Sequence, residues 1–399
     1  MKDTSLCVQL KEEVNREISS ICGELIQLSL KIHDNPELGF EEHKAANWLS
    51  GYLENRGFSI EKGIGGLSTA FKAVYGKGKP VVALIAEYDA LPELGHACGH
   101  NIIATSAVGA AIASRAVVDR SGGSVAVFGT PAEEIYGGKV TMVNNGVFNE
   151  VDMAMIVHPG VRNIVMADSL ACQNLDVEFF GKSAHAAAHP EQGINALEAM
   201  ILSFNSLNSL RQHVKEKSRI HGIITSGGSA ANIVPDYSSA SFMVRAAEKS
   251  YLEEIKARVL DCFKGAALST GCRLEYKWGS TIYDPMKNNM LLAQLFSNNL
   301  QSLGRKVEPF ELCFGFGSTD MGNISQIVPS IHPMIAIAPI GTSLHSVEFA
   351  QAAASESGHN GLVDAAKAMA MTVVDILCDK ELISGIKSEF EDAETDIVD

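Results

Sequence analysis

Four short clusters of titratable residues stand out along the 399-residue chain. The densest, 87-EYDALPELGHACGHN-101, packs Glu87, Asp89, Glu93, His96, Cys98, His100 and Asn101 between the apolar run 81-VVALIA-86 and an alanine-rich stretch. A thiolate and an imidazole two residues apart in a turn can face one ion, and Gly99 lets the backbone bend enough for both to do so. Zinc accepts Cys sulfur and His nitrogen together. A lone Cys-x-His reads equally well as a core thiol beside a capping histidine, and His96 can be satisfied by a hydrogen bond within the turn. The second cluster, 131-PAEE-134, closes the apolar run 124-SVAVFGTP-131 and precedes 136-YGG-138, a loop suited to cover a site. Adjacent glutamates are usually surface charge. Beside a metal they can divide the labour, Glu134 as ligand and Glu133 as the base that takes a proton from the attacking water. The third is His158 in 157-VHPG-160, and the fourth is His345 in 343-SLHSVEF-349. A strand-end histidine is more often structural than a ligand. Three successive apolar runs ending in Cys98/His100, Glu133/Glu134 and His158 are hard to explain as packing. Together the clusters supply donors for two metal ions, an arrangement that in hydrolytic sites holds the ions about 3.5–4 Å apart and yields hydroxide near neutral pH.

Such loops need strands to present them. Residues 8–33 carry helical spacing at Val14, Ile18, Ile21, Leu25, Leu28 and Ile32, and 44–57 predicts a second helix ending at Gly57. Strands are expected at 68–76 and 80–88 around the turn 76-GKGK-79, at 124–131 and within 151–160, with a helix over 100–118. Strands alternating with helices predict an α/β sheet, mostly parallel, whose ligands gather beyond the carboxyl ends of the strands. From about residue 172 the order becomes β-α-β-β-α-β, with strands near 174–181, 219–225, 237–245 and 272–278 and helices at 193–210 and 249–268. That is a ferredoxin-like unit. The α/β pattern resumes with a helix at 287–303 and ends with one at 361–377. The expectation is a two-domain α/β protein, residues 1–171 and 282–399 forming one domain and 172–281 inserted into it.

The length suits two domains, and 46% hydrophobic with 20% charged residues is globular composition. A net charge of −15 argues against nucleic acid as a partner. No run of about 18 apolar residues is found, so no membrane span is expected. The start of the chain lacks the apolar segment of a signal peptide, and the eight scattered cysteines suit a reducing cytoplasm. The acidic tail 388-SEFEDAETDIVD-399 is expected to be solvated or frayed. His189, His213, His221 and His332 are expected to be surface or core residues, and His359, at a helix start, a structural one.

Read in order, 32-IHDNPELGFEE-42, 87-EYDALP-92, 96-HACGHN-101, 131-PAEE-134, 181-GKSAHAA-187, 232-NIVPD-236 and 318-STDMGNIS-325 resemble the M20 family of metallopeptidases and amidohydrolases along essentially the whole chain. The resemblance implies a zinc-peptidase-like catalytic domain and an inserted ferredoxin-like lid that also dimerises. It implies two divalent metal ions, zinc or manganese, with nickel or cobalt as alternatives. Cys98 falls at a bridging ligand, and His100, Glu134, His158 and His345 at the other ligand positions. Glu133 matches the general base, and Asp89 a carboxylate that orients a ligand imidazole. His185 matches a histidine that reaches a partner subunit's site and polarises the scissile carbonyl. Asn232 and Arg245 match substrate-binding lid positions, and Gly317, Ser318 and Thr319 line the family's substrate pocket. One departure is Glu87, which stands where many M20 enzymes carry a metal-ligating histidine. The short 93-ELG-95 link resembles the branch of p-aminobenzoyl-glutamate hydrolases and β-alanyl-lysine-type dipeptidases. The implied substrate is thus a small dipeptide-like amide, with N-acyl amino acids of the aminoacylase, hippurate or auxin-conjugate kind as the alternative. A non-catalytic metal-holding subunit is a reading of another class, against which Glu133 speaks. A hydrolase with Cys98 as nucleophile would differ by surviving chelators.

Overall fold

The computed structural model describes residues 4–309 and 317–395, and Cys313 lies outside them. The chain forms two compact units, one from the N-terminus to Asp168 with the segments from Met286 and from Asp320 onward, the other Ser169–Pro285 with a short return ending at Thr319. Gly317, Ser318 and Thr319 therefore belong with the inserted unit, whereas the sequence pattern assigns everything after residue 281 to the larger one.

The larger unit is built on a six-stranded sheet in the order Ser59–Lys62, Phe71–Lys77, Gly123–Thr130, Val81–Glu87, Met153–Met155, Ser330–Ile331. The first two pairings are antiparallel and the last three parallel, so the sheet is mixed rather than mostly parallel. Phe71–Lys77 and Val81–Glu87 follow one another across the 76-GKGK-79 turn but do not pair. Both flank Gly123–Thr130, one antiparallel and one parallel. The continuous apolar runs 81–86 and 123–130 are buried on both faces, as central strands must be. Gly129 admits the Phe71 ring, since a Cβ there would lie 2.1 Å from it.

Helix His100–Ser121 is alanine-rich and buried almost all round, and Thr4–His33 and Glu356–Cys378 pack against it. Gly109 makes the first of these approaches close, because a Cβ would sit 2.6 Å from Leu25. By length and hydropathy His100–Ser121 would suit a bilayer, but 89% of its apolar window is buried inside the protein. The last helix, Lys380–Thr395, takes up part of the acidic segment that composition leaves frayed. Its Glu389 carboxylate accepts from the Met290 and Leu291 N–H groups at the start of helix Met290–Ser302, and Lys287 Nζ donates to Phe390 O at 2.9 Å. A carboxylate at a helix N-terminus satisfies its orphan donors, which is why an acidic segment docks here.

The apolar stretch 151–160 splits in two. Met153–Met155 stays in the main sheet, while His158–Gly160 leaves it to pair with Met334–Ala336 in parallel. That departure carries His158 out of the strand plane.

The inserted unit has the strand order Arg273–Tyr283, Ala171–Phe180, Tyr237–Ala246, Arg219–Ser226, all antiparallel, with helices Ala196–Leu210 and Lys249–Thr270. This is the ferredoxin-like arrangement. Burial alternates strictly along Tyr237–Ala246, the signature of a sheet covered on one face. Its own core gathers Leu175, Val177, Phe179, Phe242, Val259 and Phe263.

Candidate metal centre

Four segments of the larger unit converge. Cys98, His100 and His158 form one group of donor atoms, Cys98, Glu134 and His345 a second, and His100, Glu133 and Glu134 a third, the atoms in each lying within 4.8 Å of one another. Cys98, His100 and Glu134 each belong to two groups, so the groups merge into one centre with room for more than one ion. Cys98 Sγ lies 3.3 Å from His158 Nε2, and Glu134 reaches His100 Nε2 at 3.7 Å and His345 Nε2 at 3.5 Å.

Hydrogen bonds fix the two buried imidazoles. His100 Nδ1 donates to Asp89 Oδ1 at 3.0 Å, and His158 Nδ1 donates to the Pro159 carbonyl at 2.7 Å. Carboxylate and carbonyl oxygens only accept, so in the neutral rings both Nε2 atoms carry a lone pair toward the centre. His100 Nε2 and Glu134 Oε1 are buried, face each other, and have no hydrogen-bond partner among the described residues. Desolvation lowers the His100 pKa, but Cys98 and Asp89 raise it well above its ordinary value, so in the metal-free chain a proton on Nε2 faces Glu134, and a divalent ion bound there takes that proton's place. The donor set of thiol, imidazoles and carboxylate suits a divalent transition ion. Asp89 also accepts from the Glu134 N–H at 3.0 Å, so one carboxylate orients two donors.

The backbone is bent to bring these groups in. Gly99 has φ +81°, and a Cβ there would lie 2.8 Å from Pro159. Ala132 and His345 take φ of +61° and +60°, uncommon for residues other than glycine. Ala132 is held by its N–H donating to the buried Glu42 Oε1 at 2.9 Å, and His345 by its N–H donating to Ala97 O at 3.0 Å. Burial pushes the Cys98 thiol well above its ordinary range and lowers His158 to about 3. Desolvation, with the charges of Glu87 and Asp320, pushes Glu133 well up. A bound cation inverts this logic and favours the thiolate and carboxylates.

A family model described as Peptidase family M20/M25/M40 matches residues 83–372. The chain belongs to that family. This M20 chain is 36% identical to the mouse (Mus musculus) Xaa-Arg dipeptidase, over 96% of its own length and 92% of that relative. It is 31% identical to one of the subunits of p-aminobenzoyl-glutamate hydrolase from Escherichia coli, with 90% of each chain covered. Among solved structures it shares its fold with the YXEP protein of Bacillus subtilis, described as a dinuclear metal-binding peptidase from the M20 family (TM-score 0.70, 20% identity, 90% of this chain and 99% of that one covered). This M20 protein is a hydrolase of amide and peptide bonds that works with divalent metal ions.

The remaining residues of interest lie in the inserted unit. His185 is exposed, and its Nδ1 accepts from the Ala187 and Ala188 N–H groups at 3.3 and 3.2 Å. Its proton therefore sits on Nε2, the tautomer that can donate to a carbonyl. Asn232 is exposed in the adjoining turn, where its carbonyl accepts from the Ala186 N–H at 3.0 Å. Arg245 donates to Ser318 Oγ at 3.0 Å, and its buried Nε has no partner among the described residues. Gly317 O accepts from the Leu170 N–H, and Thr319 is buried.

Three neighbours of the centre escape the sequence reading. Lys139 and Asp320 are fully buried and paired, and His332 is buried with its ring edge-on to His158 at 5.5 Å. His332 is thus a core residue, but one that abuts the centre. A signal for Lys139 exists: a lysine directly after the loop 131–138, with apolar Val140 and Met142 close behind it.

Proposed function

We propose that this chain is a dipeptidase-type amidohydrolase that cleaves a small N-acyl or N-aminoacyl amide, the leaving group being an amino acid and preferentially a basic one. The observation that carries the reading is the pair of inward-facing ligand atoms, His100 Nε2 and Glu134 Oε1, with Glu133 in the same donor group. A module that only stores metal has no use for that extra carboxylate. The likeness to Xaa-Arg dipeptidases supports the basic leaving group. So does the net charge of −15, which favours approach of a cationic substrate. An N-acyl amino acid remains the second reading, supported by likeness to a hippurate hydrolase of Campylobacter jejuni at 26% identity over 68% of this chain.

Cys98, His100, Glu134, His158 and His345 would hold two divalent ions, and the thiol favours zinc over manganese, nickel or cobalt. The ions supply Lewis acidity and lower the pKa of the attacking water. Glu133 takes that water's proton and passes it to the leaving amine. Asp89 keeps His100 in its ligating tautomer. His185, reaching a partner subunit's site, donates from Nε2–H to the scissile carbonyl oxygen as it gains charge, and the Arg245 guanidinium, Asn232 and the 317–319 segment bind the substrate.

We further infer a homodimer through the inserted unit. Arg219–Ser226 is an edge strand, and it exposes Ile223 (67%) and Ile224 (42%), while the neighbouring helix Ala196–Leu210 exposes Ile201 and Leu202. An open strand edge bearing apolar side chains is a site for pairing with another chain. The seven cysteines among the described residues are all free, which fits a cytoplasmic setting.

The test is mass-spectrometric product detection on α- and β-aminoacyl dipeptides ending in Lys or Arg, p-aminobenzoyl-glutamate, and N-acyl amino acids. Each runs with zinc or manganese, with chelator, and with Glu133→Ala. Cleavage of a basic dipeptide that both chelator and the substitution abolish is expected. Cleavage confined to N-acyl amino acids would move the assignment to the second reading.

A further inference from the structure

Lys139 opens the short helix Gly138–Asn144 and is wholly buried. Its ammonium lies 2.5 Å from Glu87 Oε1 and 2.7 Å from Asp320 Oδ1, and its backbone N–H donates to Asp320 Oδ2 at 2.9 Å. Glu87's other oxygen is 3.7 Å from His100 Nε2, the same separation that Glu134 Oε1 keeps from that nitrogen. Glu87 thus stands as near the centre as a residue of the donor groups, with one oxygen engaged by lysine. The helix start lies close against the loop that carries Glu133 and Glu134: the Gly138 N–H donates to Ala132 O at 3.2 Å, and a Cβ on Gly138 would come within 1.9 Å of the Pro131 carbonyl oxygen.

A wholly desolvated lysine is an expensive way to pack a core. Hydrophobic residues of similar volume usually serve stability as well or better. Here the ammonium sits between the carboxylates of Glu87 and Asp320, both buried, and its helix start adjoins the Glu133/Glu134 loop. Burial opposes ionisation of Glu87, but Lys139 foremost and then His100 hold its carboxyl below the usual range. The lysine thereby offsets part of a negative charge that the two ions would otherwise meet in full.

We propose that Lys139 is a positioning residue of the metal centre, engaging Glu87 and Asp320 so that these carboxylates do not ligate and setting the charge that the divalent ions encounter. The inference rests on the metal-hydrolase reading above. It assigns Lys139 no contact with substrate. It gives a reason for a carboxylate at position 87: with the lysine beside it, Glu87 is a partner of Lys139 rather than a ligand.

The test titrates chelator-stripped protein with zinc against a chelating dye, with elemental analysis for stoichiometry. The proteins are the wild type, Lys139→Met, Glu87→Gln and the double variant. Removing one positive charge beside a divalent ion tightens zinc binding by at least about tenfold at the effective dielectric of a protein site. Glu87→Gln, which keeps the Lys139–Asp320 pair and so preserves folding, weakens it by about tenfold, and the double variant, whose charge matches the wild type, returns near it. A merely structural lysine predicts the opposite sign, since disordering a site lowers metal affinity. Unchanged or weaker zinc binding by folded Lys139→Met overturns the proposal. Should that variant not fold, undiminished binding by Glu87→Gln overturns it. A wild-type chain that binds no divalent ion takes the metal reading down as well, so the two failures are distinguishable.

Discussion

Glu42 offers a quantitative test of how the loop bearing Glu133 and Glu134 is held. It is fully buried; Oε1 accepts from the Ala132 N–H and Oε2 from Thr69 Oγ1, each at 2.9 Å. Burial, with the nearby Asp89 charge, raises its pKa from 4.5 to about 7, against the hydrogen bonds that lower it. The native state therefore holds this proton more tightly than the unfolded chain. As pH rises past 4.5 the unfolded chain ionises first, and stability falls until native Glu42 also ionises near pH 7. The shift corresponds to a loss on the order of 3 kcal/mol. Glu42→Gln keeps an acceptor for Ala132 and turns an amide donor toward the Thr69 hydroxyl, which can accept. The variant should match the wild type at pH 4.5 and be more stable by on the order of 3 kcal/mol at pH 8. The assay is urea unfolding of metal-stripped protein at pH 4.5, 6, 7 and 8, read on the transition of the larger unit. A difference that stays constant across pH, or a wild type more stable at pH 8, would refute the argument.

Four other outcomes are expected. Glu133→Ala should lower kcat by about 10²–10⁴ while leaving metal content unchanged by elemental analysis. Asp89→Asn removes the charge and leaves one acceptor oxygen for the two donors, the His100 ring and the Glu134 N–H, that Asp89 now serves, and should weaken metal affinity by about 10–100-fold in a dye competition assay. Chelation should abolish hydrolysis, with zinc or manganese restoring it; activity that persists without metal but dies on alkylation would instead make Cys98 a nucleophile. Ile223→Lys should shift the sedimentation of the protein toward monomer, and if His185 acts across the dimer, kcat should fall with it.

The site was legible where chemistry follows a local rule. Cys98, His100, Glu133 and His158 each lie in the loop or bend after an apolar run, and period and composition alone place such runs as strands. What escaped the sequence depends on pairs distant in the chain. Lys139 meets Asp320 across 181 residues, and Glu42 holds Ala132 across 90, with no pattern at either end to announce the other. The sheet's mixed character escaped because alternating strands and helices read as parallel, whereas the two strands around the 76-GKGK-79 turn flank a third that arrives only after a long helix, one antiparallel to it and one parallel. The acidic tail misled because charge predicts solvation, whereas Glu389 finds the unsatisfied N–H groups of a helix start.

Strain identifies the same place independently. Of the four non-glycine residues at positive φ among those described, Ala132 directly precedes the two glutamates and His345 is itself a donor. Such conformations cost on the order of 1–3 kcal/mol each and persist only where surrounding structure enforces them. The enforcers are visible here as Glu42 and the Ala97 carbonyl. Gly39 shows how closely the loop is packed, since a Cβ there would meet Ala132 at 2.9 Å. A chain selected for stability alone would relax both bends and neutralise Glu42. Keeping strained backbone, a buried carboxylate and two inward-facing ligand atoms in one loop cluster makes sense when a cation supplies the missing interaction. That is why the site's least stable features are also the best argument for what it binds.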